Sequence, residues 1–294
     1  MDTRYVELER RPELNRPVLI AGFTGWNDAA EAASLAVDTL REKWGAERVG
    51  AFVGEEFFDY QSVRPQITLV EGVTRVIEWP ENVLYATSGG VRALGGRDAI
   101  LISGPEPNFR WKSFCQVFVD LGREFDASLV VTLGALLADV PHSRPVSVSA
   151  NAQDPSLVEN LKLSASRYEG PTGVTGILHR YVAESGLPAV SFWASVPHYL
   201  PSVPSAPAAL ELLQNLQHLV GGPLDTSHLE RTSEDYQRQV AAAVSQDSDL
   251  TSYVQMLEER YDAQADGDPE DLPSGDDLAS ELEEFLREKG DEEQ

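Results

Sequence analysis

The stretch PVLIAGFTGWNDAAEAASLAVDTLREKWG (17–45) decides the architecture. Its first seven residues, PVLIAGF, form an unbroken apolar run, the pattern of a strand buried on both faces rather than on one. A Gly-containing turn follows. From Asp28 to Trp44 alanines and larger apolar residues recur at helical spacing, and Gly45 supplies the stop. A doubly buried strand feeding an amphipathic helix is the repeating unit of a layered α/β domain.

The same alternation continues outward. RVGAFVG (48–54), ITLVEG (67–72), TRVIEW (74–79) and NVLYAT (82–87) read as strands, and the Glu71-Gly72 turn predicts an antiparallel hairpin or meander inserted in the sheet. DAILISG (98–104) and SLVVTLGAL (128–136) are further buried strands, separated by a helix over Trp111 to Phe125. PVSVSA (145–150) alternates like an edge or paired strand, residues 155–163 and 173–185 read as helices, and LPAVSFWAS (187–195) as the last core strand. Residues 206–220 and 227–261 are helical. The expected fold is a three-layer α/β/α sandwich with a mixed, mostly parallel central sheet, followed by a C-terminal helical segment. The boundaries read as a core over 1–224, a helical appendage over 225–261 and an acidic tail over 262–294.

Charge separates the function classes. The chain of 294 residues carries 48 Asp and Glu against 23 Lys and Arg, a net charge of −25. Such a surface repels phosphate backbones and anionic membranes, so neither nucleic acid nor membrane is an expected partner. Residues 262–294 hold 14 acidic and 2 basic residues, net −12, which leaves −13 for the rest. DAQADGDPEDLPSGDD, at the start of that tail, has no aromatic residue and too little apolar surface to offset the entropy of ordering, so 262–275 is expected to be a disordered linker. Beyond it Leu278, Leu282, Phe285 and Leu286 fall at helical spacing and would make a partner-binding stripe on a short amphipathic helix. No apolar leader opens the sequence and no run is long enough to span a bilayer, so a cytoplasmic location is expected.

The standard signatures of catalysis are missing. There is no phosphate loop, dinucleotide fingerprint, nucleophile elbow or H-E-x-x-H pair. The histidines at 142, 179, 198, 218 and 228 never fall three or four apart, and Cys115 is the lone cysteine, so neither a metal nor a cofactor is expected. Three polar turns follow apolar strands: GFTGWNDAA (22–30), SGPEPNFRW (103–111) and ADVPHSRPV (138–146). Ligands of open α/β sheets sit beyond the carboxyl ends of the strands, so Asn27, Asp28, Glu106, Asn108, Arg110, His142 and Arg144 form a candidate pocket. A carboxylate pair, an imidazole and two guanidinium groups could serve acid–base work or clamp an anion. The same residue types also cap helices and close turns, with Asn27 or Asp28 ahead of the first helix and Asn108 ahead of the next. Two readings therefore stand together: a non-catalytic protein-interaction module, and a small-molecule hydrolase, transferase or ligand-binding protein.

GWNDAAEAAS (25–34), GPEPNFRW (104–111), LGALLADVPHSRPV (133–146), YEGPTGVTGIL (168–178) and SVPHYL (195–200), in that order, resemble the bacterial members of the proteasome assembly chaperone 2 family. The resemblance implies a fold related to nucleoside phosphorylases and peptidyl hydrolases, built on a five-stranded mixed sheet. It also implies self-association and a role in assembling or regulating a proteasome or another oligomer, with proteasome subunits as possible partners. Some relatives dock through a C-terminal hydrophobic-Tyr-x motif; the sequence here ends GDEEQ instead. Phe57, Phe58 and Tyr60 lie in a loop between strands, and this segment or the strands after it is the expected homo-oligomer contact.

Overall fold

The computed structural model describes residues 4–70, 72–154, 161, 163–165 and 168–266. The expected helix over 155–163 falls almost wholly outside them, as do most of the expected linker and the Leu278, Leu282, Phe285 and Leu286 stripe. The strands are β1 (Val6–Leu8), β2 (Val18–Thr24), β3 (Glu47–Phe52), β4 (Gln66–Val70), β5 (Thr74–Glu78), β6 (Val83–Val91), β7 (Arg97–Pro105), β8 (Leu129–Ala138), β9 (Val148–Ala152), β10 (Ser164–Ala165) and β11 (Ala189–Pro197). The helices are α1 (Ala32–Trp44), α2 (Trp111–Glu124), α3 (Val174–Glu184), α4 (Ala206–Val220), α5 (Ser227–Val244) and α6 (Ser248–Asp266).

Nine strands form the central sheet in the order β1-β3-β6-β7-β2-β8-β11-β9-β10. The strands β7, β2, β8 and β11 at its centre are mutually parallel. Antiparallel pairs flank them on both sides. At nine strands this mixed sheet is wider than the five that the resemblance implied: β1, β3 and β6 extend the four-stranded parallel centre on one side and β9 and β10 on the other.

Side-chain alternation sorts the sheet onto two cores, as the period of a strand requires. Val18 and Ile20 of β2, with Ala99 and Leu101 of β7 and Val131 and Leu133 of β8, face α1 and α4. Leu19, Ala21 and Phe23, with Ile100 and Ile102, face α2 and α3. On the first face Gly22 permits close contact: a Cβ there would lie 2.9 Å from Val37 Cγ2 and 3.1 Å from the Ala33 carbonyl oxygen. On the second face Phe23, Phe52, Phe57, Phe114 and Phe118 form one ring cluster with centroids 4.6–6.0 Å apart. Phe57 and Phe58 are therefore core residues, 0% and 3% exposed, and not the exposed contact expected of that loop. The loop folds back because the Phe57 carbonyl accepts hydrogen bonds from the Asn108 and Phe109 N–H groups, at 2.8 and 3.0 Å.

The hairpin also departs from expectation. The strands β4 and β5 pair only with each other, as a separate two-stranded ribbon. Gln66, Thr68, Thr74 and Glu78 share one of its faces, and insertion into a sheet covered on both sides would take this polar set, including the Glu78 carboxylate, out of water. The helical boundary shifts as well: α6 runs to Asp266, past the expected limit at 261. Leu229 of α5 joins the main core, while Tyr236, Val240, Val244 and Val254 form a smaller cluster against Tyr199 and Leu200.

The third helix carries a pH-sensitive component of stability. Burial and the neighbouring Arg180 pull the His179 imidazole down from 6.5 to about 4, and its Nδ1 is buried without a hydrogen-bond partner. Below pH 6.5 the unfolded chain takes up a proton that the folded chain refuses until about pH 4, so stability is full above 6.5 and falls as pH drops. At about 1.4 kcal/mol per pKa unit the loss is on the order of 3 kcal/mol. Urea unfolding at neutral pH and near pH 4 should show this loss in wild type beyond that in His179→Gln; equal losses would refute it.

Candidate functional site

The three polar turns do lie beyond the carboxyl ends of adjacent strands, after β2, β7 and β8, but their side chains divide among separate networks. The first network joins two turns. Asn27 is 1% exposed, and its Nδ2 donates to Glu106 Oε1 at 2.7 Å. The same oxygen accepts the Val174 N–H at 2.6 Å, so Glu106 occupies the amino end of α3. Gly173 makes this approach possible: a Cβ there would stand 2.1 Å from Asn27 Nδ2. The Asn27 carbonyl accepts the Ala135 N–H at 2.8 Å, which fastens the turn to β8.

Asp28 points the other way, to α1. Its Oδ1 accepts the Ala33 and Ser34 N–H groups at 2.6 and 3.2 Å, and Oδ2 accepts the Ser34 hydroxyl at 2.5 Å. Glu31, directly before the helix, has a φ of 54° and makes no side-chain cap, so Asp28 caps across a 3-10 turn. Burial pushes the Asp28 carboxyl above its ordinary value, and these hydrogen bonds pull it back.

Asn108 and Arg110 belong to a second network. Asn108 Oδ1 accepts the Asp59 N–H at 2.9 Å, and Arg110 Nε lies 3.2 Å from Glu56 Oε2. Both side chains hold the loop that buries Phe57. His142 and Arg144 belong to a third network, which docks α6. The Tyr199 hydroxyl accepts the His142 N–H at 2.9 Å and lies 2.8 Å from its Nδ1, while burial holds the imidazole below its ordinary pKa. Arg144 grips Asp262 through two bonds of 2.8 and 2.7 Å, and Glu258 lies 3.4 Å away. Ser143 donates to Glu258, and the Tyr261 hydroxyl to the Pro145 carbonyl. Asp262, read from composition as the start of a linker, is therefore a structural partner of the core.

The seven candidates thus do not share one set of contacts. Asn27 and Glu106 meet, and the other five serve α1, the Phe57 loop and α6. Among the described residues no group of three or more His, Cys, Asp or Glu side chains is placed to hold a metal ion. Sequence reasoning missed the Val174 N–H, Glu258 and Asp262, and it missed the large apolar side chains beside the turns: Trp26, Phe109 and Leu136 are exposed.

The family model of the PAC2 family matches residues 22–244, which takes in all three turns, α3 and α5. The chain belongs to the PAC2 family. A PAC2 family protein from Streptomyces avermitilis is 40% identical, with a TM-score of 0.74 over 81% of this chain and 99% of that one. A Mycobacterium tuberculosis proteasome-assembly chaperone homologue is 38% identical, with a TM-score of 0.73 over the same shares. An archaeal proteasome activator from Pyrococcus furiosus, 18% identical at a TM-score of 0.64 over 81% of this chain and 97% of that one, shares the fold alone. No curated protein matches. No helix among the described residues of this PAC2 protein is long and apolar enough to cross a membrane.

The Glu106 contact has a measurable cost of removal. Glu106→Ala leaves the Val174 N–H and the buried Asn27 amide unpaired, and hydrogen bonds to a charged group contribute about 1.5–3 kcal/mol. Urea denaturation should show a loss in that range for Glu106→Ala and a smaller one for Glu106→Gln, which keeps the acceptor oxygen. Asp28→Ala should cost about 1 kcal/mol as a lost cap. Unchanged midpoints for both alanine variants would show that these contacts hold nothing.

Proposed function

We propose that this PAC2 protein is a non-catalytic protein-interaction module that assists the assembly or regulation of a proteasome. The observation that carries this reading is the state of the strand ends. Their polar side chains are committed to the protein's own helices and loops, while Trp26, Phe109 and Leu136 stand exposed beside them. Exposed large apolar residues grouped on one part of a folded surface mark a place where another protein binds, and these three lie at or just past the ends of the adjacent strands β2, β7 and β8. An aromatic anchor within a polar surround is the usual centre of binding energy in such contacts. The family and the proteasome-assembly chaperone homologue within it direct the reading to proteasome subunits. The stripe Leu278, Leu282, Phe285 and Leu286 is a second proposed contact with the same partner.

The test is complex formation between the full chain and proteasome α-subunits from the same source, followed by native mass spectrometry. A complex is expected. Trp26→Asp should weaken it at least tenfold with the melting temperature unchanged, because the side chain is exposed in the free protein. Phe285→Ser should weaken it likewise. No complex with wild type would overturn the reading, and a complex indifferent to Trp26→Asp would move the contact away from the strand ends.

A further inference from the structure

We propose that α6 is an autoinhibitory strap, which covers the turn after β8 in the free protein and leaves it when a partner binds the strand ends. This rests on the partner site proposed above and adds its regulation. The helix begins at Ser248, beyond residue 244 where the family match ends. It takes up the polar groups of the turn one after another. Arg144 holds Asp262 at 2.8 and 2.7 Å, Ser143 donates to Glu258, and the Pro145 carbonyl accepts the Tyr261 hydroxyl at 3.0 Å. A further contact brings α6 up to the strand end itself. The His198 N–H donates to the Ala138 carbonyl at 3.1 Å, and the same residue's Nε2 lies 3.4 Å from the Tyr253 hydroxyl. Ala138 directly follows Leu136 and Leu137, which are 40% and 48% exposed. A partner that reaches those leucines meets α6 beside them.

The way α6 is held makes it detachable. Its apolar anchor is the small cluster of Tyr236, Val240, Val244 and Val254, which is separate from both main cores. Elements with few buried apolar contacts open at lower free energy than the body of a fold. The remaining grip is ionic, and Asp262 is 55% exposed, so water competes for it. The helix is also poorly made at its carboxyl end. Residues 258–266 hold Glu258, Glu259, Asp262 and Asp266 against Arg260, and the last turn contains no basic residue. Carboxylates at that end oppose the helix dipole. Arg144 offsets this charge only while the strap is docked. Release would return Arg144 and Tyr199 to the strand-end surface, and Arg and Tyr are side chains that commonly anchor protein contacts. A partner that binds only the open form is weakened in proportion to the closed fraction.

Hydrogen exchange and a covalent lock on the full chain test the strap. Residues 250–266 should exchange at least tenfold faster than β8 and β11, by an opening that leaves those strands protected. Glu258→Gln with Asp262→Asn should speed that exchange several-fold and tighten the complex with proteasome α-subunits several-fold. For the lock, Ser143→Cys and Glu258→Cys are joined by a short bismaleimide; the native Cys115 is buried and stays out of the reaction. The linked protein should bind at least tenfold more weakly than the same variant with each thiol capped by N-ethylmaleimide, with equal circular dichroism spectra. Equal binding by linked and capped protein would overturn the proposal, as would exchange of 250–266 only together with β8. If wild type forms no complex with α-subunits, the proposed function falls, and exchange alone decides the strap: opening independent of β8 upholds it, and opening only with β8 overturns it.

Discussion

A single carboxylate oxygen ties together three distant parts of the chain. Glu106 Oε1 follows β7, accepts from Asn27 after β2 and from Val174 at the start of α3, and so spans sequence separations of 79 and 68 residues. The contact works because the amino end of a helix presents unpaired N–H groups and a partial positive charge, which a carboxylate satisfies better than a neutral acceptor. It also needs Gly173, since any side chain there would collide with Asn27. Through Asn27 the same knot reaches Ala135 and sets the end of β8. The relative placement of the first two turns, of α3 and of the last residues of the parallel strands follows from it.

Around this knot the acidic composition shapes what the surface does. Basic side chains are engaged both at the turns and away from them: Arg110 with Glu56 and Arg144 with Asp262 at the turns, and Lys43, at the far end of α1, with Asp225 at 2.7 Å. These pairs are largely exposed, so each contributes at most about 1 kcal/mol and together they position more than they stabilise. What remains is a surface of net negative charge broken by apolar places: the strand-end rim and the ribbon, where Ile67, Leu69 and Ile77 are exposed. The two differ in construction. The rim sits on a rigid sheet, whereas the ribbon is held at its base, where Trp79 packs on Tyr60, and bare along its length.

The layered fold was legible because strand and helix differ in apolar period. Continuous runs such as VLIAGF and LVVTLGA admit only a doubly covered sheet, and Gly45 ends α1 in the left-handed region with a φ of 58°. Pairing was less legible. Period identifies a strand, not its neighbour, so the ribbon was read into the sheet although polar residues on one of its faces forbid burial there. The short strands β1 and β10, with three and two residues, lie below the length at which any pattern can register. The Phe57 loop was misread for a related reason: its burial depends on Asn108, some fifty residues later, and no local pattern reports that. The candidate residues were correctly located as residues of the turns, but their partners lay elsewhere. Asp28 serves Ser34, and Arg144 serves a helix more than a hundred residues on.

The occupied amino end of α3 also bears on chemistry. Folds with parallel strands open towards helix amino ends commonly place an anion there. Here the chain supplies its own anion. A phosphate or carboxylate ligand arriving at Val174 would have to displace Glu106, strand the buried Asn27 amide, and do so against the repulsion of a molecule of net charge −25. Loss of a charged hydrogen bond alone costs about 1.5–3 kcal/mol, roughly ten- to a hundredfold in affinity, before the ligand's own desolvation is counted. An apolar side chain from a protein partner meets no such barrier at Trp26 or Phe109, where water is the only competitor. The energetic cost of displacing Glu106 is the physical reason for preferring the proposed protein contact over an anionic ligand at the strand ends.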